Sequence, residues 1–170
     1  MEYNKLVFAG PVGAGKSTAI NSISEVAPVT TEQPLSSGAM GEKTTTTVAL
    51  DYSYLSMDGE VLHLYGLPGQ EQLGFMRDII LQGAYGVILL VDASDGDIDS
   101  ICQQWLSSIL EIEKNIKIVV AVTKSENNPD FSLNSLRETV KNFLPSAPII
   151  SIDPREKEDV KQALQILVAI

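Results

Sequence analysis

Gly10-Pro11-Val12-Gly13-Ala14-Gly15-Lys16-Ser17 is the stretch on which the reading of this chain turns. It fits G-x-x-x-x-G-K-[ST] in full. An aliphatic run, Lys5 to Ala9, precedes it and reads as a short buried strand, and Ser17 to Val26 follows as a helix. Gly10, Gly13 and Gly15 let the backbone fold back so that successive N–H groups form an anion nest, to which the helix end adds its positive dipole. Lys16 has the reach for the β and γ oxygens of a triphosphate, and the Ser17 hydroxyl is a hard oxygen ligand suited to octahedral Mg²⁺. A glycine-rich turn carrying an exposed lysine is the plainer reading, and it is set aside because spacing and flanking elements both match the phosphate loop.

Working outward, the chain alternates. Thr45 to Met57 and Glu60 to Tyr65 flank the turn signal Asp58-Gly59 and read as a hairpin. Tyr85 to Val91, Ile116 to Val122 and the shorter Ile149 to Ile152 are continuous aliphatic runs, as expected of strands covered on both faces. Ile98, Ile101, Cys102, Trp105, Ile109 and Ile112 fall at helical spacing, and two later amphipathic patterns, Leu133 to Phe143 and Val160 to Val168, add two more helices. Ala27 to Lys43, with Pro28, Pro34, Gly38 and Gly41, reads as a long irregular loop. The expected fold is therefore α/β, a three-layer sandwich around a six-stranded, mostly parallel sheet with one antiparallel edge strand.

Composition sets the outer limits. At 170 residues, 44% apolar and 20% charged, the chain is expected to form one globular domain spanning 1–170. A net charge of −10 has the wrong sign for gripping a phosphate backbone, so nucleic acid is not an expected partner. One cysteine permits no internal disulfide, and no leader, membrane-length apolar run or lipidation motif is visible; a cytoplasmic protein without a stable membrane anchor is expected.

The hairpin runs into Gly66-Leu67-Pro68-Gly69-Gln70-Glu71, which resembles the D-x-x-G-Q-[E] switch II of Ras, Rab and Arf-type small GTPases. Lys43-Thr44-Thr45-Thr46-Thr47-Val48-Ala49 resembles switch I, with Thr47 aligning best and Thr46 second. Thr123-Lys124-Ser125-Glu126 stands where that family has N-K-x-D, and Asp153-Pro154-Arg155 stands at its last base-contact loop, S-A-K. The combination is most similar to bacterial Ras-like GTPases of the MglA and conservon types, and the resemblance covers essentially the whole chain. It implies a P-loop molecular switch that binds GTP or GDP with Mg²⁺ and hydrolyses GTP. Partners of such proteins typically have the roadblock fold.

Carried over residue by residue, the resemblance implies nucleotide contacts from Gly10, Val12, Gly13, Ala14, Gly15, Lys16, Ser17 and Thr18. It adds Gly69, whose N–H would meet the γ-phosphate, and Thr123, Lys124, Glu126 and Asp153 at the base. Gln70 would orient the attacking water, Lys16 and Thr47 would complete the catalytic set, and Ser17 and Thr47 would ligate Mg²⁺. Lys43 could offer charge in cis but reads more simply as an exposed loop lysine.

Four positions depart from the pattern. Gly66 replaces the Mg²⁺-supporting aspartate, leaving Asp51 and Asp92 as candidate substitutes, although Asp92 more simply caps its following loop. Val12 would crowd Gln70 and slow hydrolysis, which implies a partner that repositions or supplies a catalytic group. Glu126 must do an aspartate's work on guanine, and Pro154 has no N–H to offer, so the contact that the resemblance implies to the guanine O6 would have to come from Asp153 or Arg155 or be lost. A hydrolysis-deficient nucleotide-binding scaffold, or an ATP-using P-loop protein, is the alternative. A P-loop kinase is disfavoured, because only Arg77, Arg137 and Arg155 exist to build a phosphate lid. His63 reads as a solvent-facing strand residue, Cys102 and Trp105 as core, and Leu73, Phe75 and Met76 as either a docking patch or packing.

Overall fold

The computed structural model describes residues 4–36, 45–69 and 74–170. Its strands and helices are β1 (Lys5–Ala9), α1 (Lys16–Ile23), β2 (Val29–Ser36), β3 (Thr45–Met57), β4 (Glu60–Gly66), α2 (Gly74–Leu81), β5 (Gly86–Asp92), α3 (Ile98–Ile112), β6 (Lys117–Thr123), α4 (Leu133–Lys141), β7 (Ile149–Ser151) and α5 (Lys157–Ala169). The strands form one sheet in the order β2-β3-β4-β1-β5-β6-β7. β3 runs antiparallel to both neighbours, and the remaining pairings are parallel.

The central strands are buried on both sides, which is why they read as unbroken aliphatic runs. Alternation sorts their side chains between two cores. Leu6, Phe8, Ile88 and Leu90 pack under α1 and α5 with Ile20, Val160 and Leu164. Val7, Ala9, Val87, Leu89 and Val91 face the other way, toward Leu81, Trp105, Leu106 and Leu136 of α2, α3 and α4. This gives the three expected layers, with two helices on one face and three on the other. Cys102 is fully buried in the second core, and burial together with the Asp99 charge pushes its thiol up to about 12, so it is inert at neutral pH.

Two boundaries differ from the sequence expectation. Val29–Ser36, expected as loop, pairs antiparallel with β3 as a seventh strand among the described residues, so the antiparallel strand is second from the edge. Pro34 is tolerated there because an edge strand has one unpaired side. Residues 37–43, the rest of that expected loop, lie outside the described residues. The second difference is that α1 stops at Ile23, where the Ser24 N–H and hydroxyl both donate to the Ile20 carbonyl and divert the chain into extended backbone. The Asp58-Gly59 turn behaves as expected, with both residues at positive φ, 52° and 81°. No helix among the described residues is long and apolar enough to cross a membrane.

Candidate functional site

The sheet's parallel strands end along one rim, and the loops leaving β1, β4, β6 and β7 converge there on a cleft of about 490 Å³. At one end the chain leaving β1 turns sharply through Gly10, whose φ is 142°. A Cβ at this position would stand 2.2 Å from the Leu90 carbonyl oxygen, so the turn can press against β5 only because the residue is glycine.

Lys16, the first residue of α1, folds its side chain back over the loop and donates to the carbonyls of Gly10 and Pro11 at 2.6 and 2.8 Å. Burial lowers its ammonium to about 8, the nearby Arg77 charge adds to that drop, and Asp51 opposes it. The side chain is thus a cation held partly dry and pointing along the loop that the motif marks for phosphate.

Ser17 donates its hydroxyl to the Asp51 carboxylate, which reaches across from β3. The β3–β4 register sets Tyr52 opposite Tyr65 and so brings Asp51 beside Gly66, where a Cβ on Gly66 would lie 3.3 Å from the Asp51 Cβ. Asp51 thus occupies the space that a side chain at residue 66 would enter. Asp92, the other candidate substitute, is engaged elsewhere. It accepts from the Ser94 N–H at 2.8 Å and pairs with Lys124 at 3.4 Å, as expected of a loop cap.

The other end of the cleft is held by two bonds from the β6 terminus to the phosphate loop. Thr123 donates its hydroxyl to the Ala14 carbonyl at 2.8 Å, and Lys124, in a left-handed conformation, donates to the Gly13 carbonyl at 2.7 Å. Glu126 follows in a single 3-10 turn, Ser125–Asn127. Arg155 faces it from the loop after β7, with its guanidinium 3.9 Å from the Glu126 carboxylate and paired with Asp153 at 2.7 Å.

Of the residues expected at the site, Val12, Gly13, Gly15, Lys16, Ser17 and Thr18 line the cleft on the loop side. Gly69, Lys124, Glu126 and Asp153 line the rest. Gly10, Ala14 and Thr123 act from behind, through backbone position and the bonds above. Gly69 approaches the loop so closely that a Cβ would fall 2.6 Å from the Val12 nitrogen. Gln70 and Lys43 lie outside the described residues; Thr47 is placed only by its backbone, opposite Pro34 in the β2–β3 pairing.

Asn127, Pro154 and Arg155 also line the cleft and were not singled out as site residues. Asn127 adjoins the first base-contact segment, and Pro154 and Arg155 lie within the second. The apolar residues after Gln70 divide. Met76 packs against the core, whereas Phe75 is 53% exposed and Ile79, one turn later, 64%. Leu73 is not described. His63 is half-buried rather than solvent-facing, stacked on Tyr52 with its Nδ1 2.8 Å from the Tyr52 hydroxyl.

Among the described residues no group of three or more His, Cys, Asp or Glu side chains could hold a metal ion. The Ser17 hydroxyl and Asp51 carboxylate do fit Mg²⁺, which takes few protein ligands and completes its shell with phosphate oxygens and water.

The family profile of the Ras of Complex, Roc, domain of DAPkinase matches residues 5–126, from β1 through the phosphate loop to Glu126. An uncharacterized protein of Methanocaldococcus jannaschii, MJ1339, is 31% identical over 93 residues, which are 54% of this chain and 53% of the relative, so the match spans about half of that protein. The Ras-related protein RABD2a of Arabidopsis thaliana is 24% identical over 172 residues, covering 97% of this chain and 78% of the plant protein. In three dimensions the Arl6 BBS3 small GTPase from Trypanosoma brucei, solved with the nucleotide analogue GppNp, superposes with a TM-score of 0.74. That superposition covers 97% of this chain and 95% of the other, and at 14% identity it speaks for the fold. With a phosphate loop, a glycine pressed against it and a matched profile over most of its length, the chain belongs to the Roc family of Ras-like small GTPases.

Proposed function

We propose that the chain is a single cytoplasmic G domain that binds GTP and GDP, hydrolyses GTP slowly, and works as a switch read by a partner protein. One observation carries this reading: a single cleft offers a lysine and a hydroxyl at one end and a carboxylate beside a guanidinium at the other. The first end suits phosphates, the second a nucleobase edge. Gly69 lines the cleft against the Val12 nitrogen, where its N–H would serve a terminal phosphate, and Gln70, the next residue, would orient water.

Slow hydrolysis rests on Val12, which is 68% exposed at the cleft, next to Gly69. By the family resemblance a branched side chain there would crowd the water-orienting glutamine, and a partner that restores the geometry would then control the rate. A roadblock-fold protein is the partner type that the motif combination suggests. Competition of GTP, GDP and ATP against a fluorescent guanine nucleotide tests the core of the reading. Guanine nucleotides should win by about tenfold or more, a difference near 1.4 kcal/mol. Equal competition by ATP would make the protein a P-loop ATPase or a nucleotide-indifferent scaffold.

Bound Mg²⁺ would neutralise charge on the phosphate oxygens. In this chain the Ser17 hydroxyl would ligate it, Thr47 would supply a second oxygen, and Asp51 would accept the Ser17 hydrogen bond and orient bound water, in place of the aspartate missing at Gly66. Asp51→Asn should raise the Mg²⁺ concentration needed for half-maximal nucleotide retention by about 10- to 100-fold, while affinity in EDTA stays the same. A carboxylate returned from the facing strand, in Asp51→Ala with Gly66→Asp, should recover part of the loss. Unchanged Mg²⁺ dependence in Asp51→Asn would remove Asp51 from this role.

The Lys16 ammonium sets a pH window. A phosphate favours its charged form, so affinity is full below pH about 8 and falls as pH rises through that value, by up to about tenfold per unit. Binding at pH 9 should therefore take up a proton, which calorimetry in two buffers of different ionisation enthalpy reads directly. A flat affinity profile from pH 7 to about 9.5 would place Lys16 away from the phosphates.

A further inference from the structure

The loop after β7 has spent its backbone donors. Ile152 donates its N–H to the Val122 carbonyl at 2.9 Å, Asp153 donates to the Asp159 carboxylate at 2.8 Å, Arg155 to the Asp153 carboxylate at 3.0 Å, and Glu156 to the Asp153 carbonyl at 3.0 Å. Pro154 has no N–H. A nucleobase carbonyl entering this end of the cleft therefore meets no backbone N–H from residues 152–156.

The Arg155 guanidinium is the donor that this loop does present. Two of its five N–H groups go to Asp153, from Nε at 2.9 Å and from Nη2 at 2.7 Å, and this fork fixes the plane of the group. Three N–H groups remain beyond that fork, and Nη2 lies 3.9 Å from the Glu126 carboxylate. The loop itself is seated on the phosphate loop, since the Pro154 ring lies 2.9 Å from where a Cβ of Gly15 would be. The Asp153 carboxyl, held at about 2 by its hydrogen bonds from Arg155, stays ionised throughout the physiological range, so the fork persists.

An acceptor thus stands beside a donor, both facing the same space. Guanine's edge presents the complement, a ring N–H next to a carbonyl oxygen, whereas adenine presents a ring acceptor next to an amine. Building on the guanine-nucleotide reading of this cleft, we infer that Arg155 is a specificity-determining residue: its guanidinium, clamped by Asp153, donates to guanine O6 while Glu126 accepts from N1–H and the exocyclic amine. A side chain then does the work that a backbone N–H at residue 154 cannot.

Pairing side-chain changes with single-atom changes in the base tests this on the purified full chain. Dissociation constants are measured for GDP, 6-thio-GDP, IDP and ADP with the unaltered protein, Arg155→Ala and Arg155→Lys. Sulfur in place of O6 keeps the N1–H but accepts poorly, and it should cost the unaltered protein about tenfold, the range of one charge-assisted hydrogen bond. Arg155→Ala should lose about tenfold on GDP and almost nothing on 6-thio-GDP, with the ratio of IDP to GDP unchanged because the amine is read by Glu126. Arg155→Lys should recover part of the GDP affinity. Equal losses on GDP and 6-thio-GDP in Arg155→Ala would make the residue a prop for the loop and overturn the inference, as would GDP affinity that does not change. ADP binding as tightly as GDP to the unaltered protein would instead bring down the guanine reading beneath it.

Discussion

Gly10→Ala should cost the fold about 3 to 5 kcal/mol, read as a fall in the urea midpoint at unchanged slope. Two penalties combine. At φ 142° an alanine is strained by about 1 to 3 kcal/mol, and its Cβ would stand 2.2 Å from the Leu90 carbonyl oxygen, well inside van der Waals contact. That carbonyl cannot retreat, because β5 is paired with β1 on one side and β6 on the other. Gly13→Ala is the control. Its φ is also positive, at 82°, but nothing lies within 4 Å of the added carbon, so it should show only the conformational cost of about 1 kcal/mol. Equal losses in the two variants would mean that the contact with β5 contributes nothing.

Lys16→Ala should weaken GDP and GTP by about 100-fold or more, the usual scale for truncating one partner of a desolvated, hydrogen-bonded charge pair. The unliganded protein should not lose stability with it. In the folded state the Lys16 pKa is drawn down to about 8 from an ordinary 10.5, chiefly by burial, so the folded chain binds its proton less tightly than the unfolded one. The ammonium therefore costs stability below pH 8, a cost relieved as pH rises from 8 toward 10.5. Removing it should leave the unliganded thermal midpoint near pH 7 unchanged or slightly raised while nucleotide retention collapses. Nucleotide content equal to that of the unaltered protein after purification would overturn the phosphate assignment.

The elements legible in sequence were those whose burial leaves an unbroken or periodic apolar pattern. β5 and β6 are covered on both faces and so appear as unbroken aliphatic runs, and α3 shows its apolar stripe because it lies on a flat sheet. β2 was not legible. Its pattern is interrupted by Glu32, Gln33 and Pro34, all tolerable on an edge strand, and only the pairing with β3 reveals it. The phosphate loop could be read whole because its residues are contiguous. The Ser17–Asp51 contact spans 34 positions and depends on the β3–β4 register, so the sequence could place Asp51 nearby but could not choose it over Asp92. Arg155 was in view only as one of two candidates, beside Asp153, for a contact that Pro154 cannot make, and the choice between them was open for a related reason. Its importance comes from what its neighbours have already spent, and hydrogen-bond accounting needs coordinates.

The position of β1 carries a consequence for the order in which the molecule assembles during synthesis. Leu6 pairs with Leu64 on one side and Gly86 on the other, Gly10 rests on Leu90, and the Ala14 carbonyl waits for Thr123. The phosphate loop thus leaves the ribosome before β5 and β6, the strands that supply Leu90 beneath Gly10 and Thr123 beside Ala14, and it is fixed in place only once they have been translated. A nascent chain that ends before β5 carries the complete motif and no cradle. A nucleotide that needs the finished cradle therefore acts on folding late, after the sequence-local β2–β3–β4 pairings have become possible.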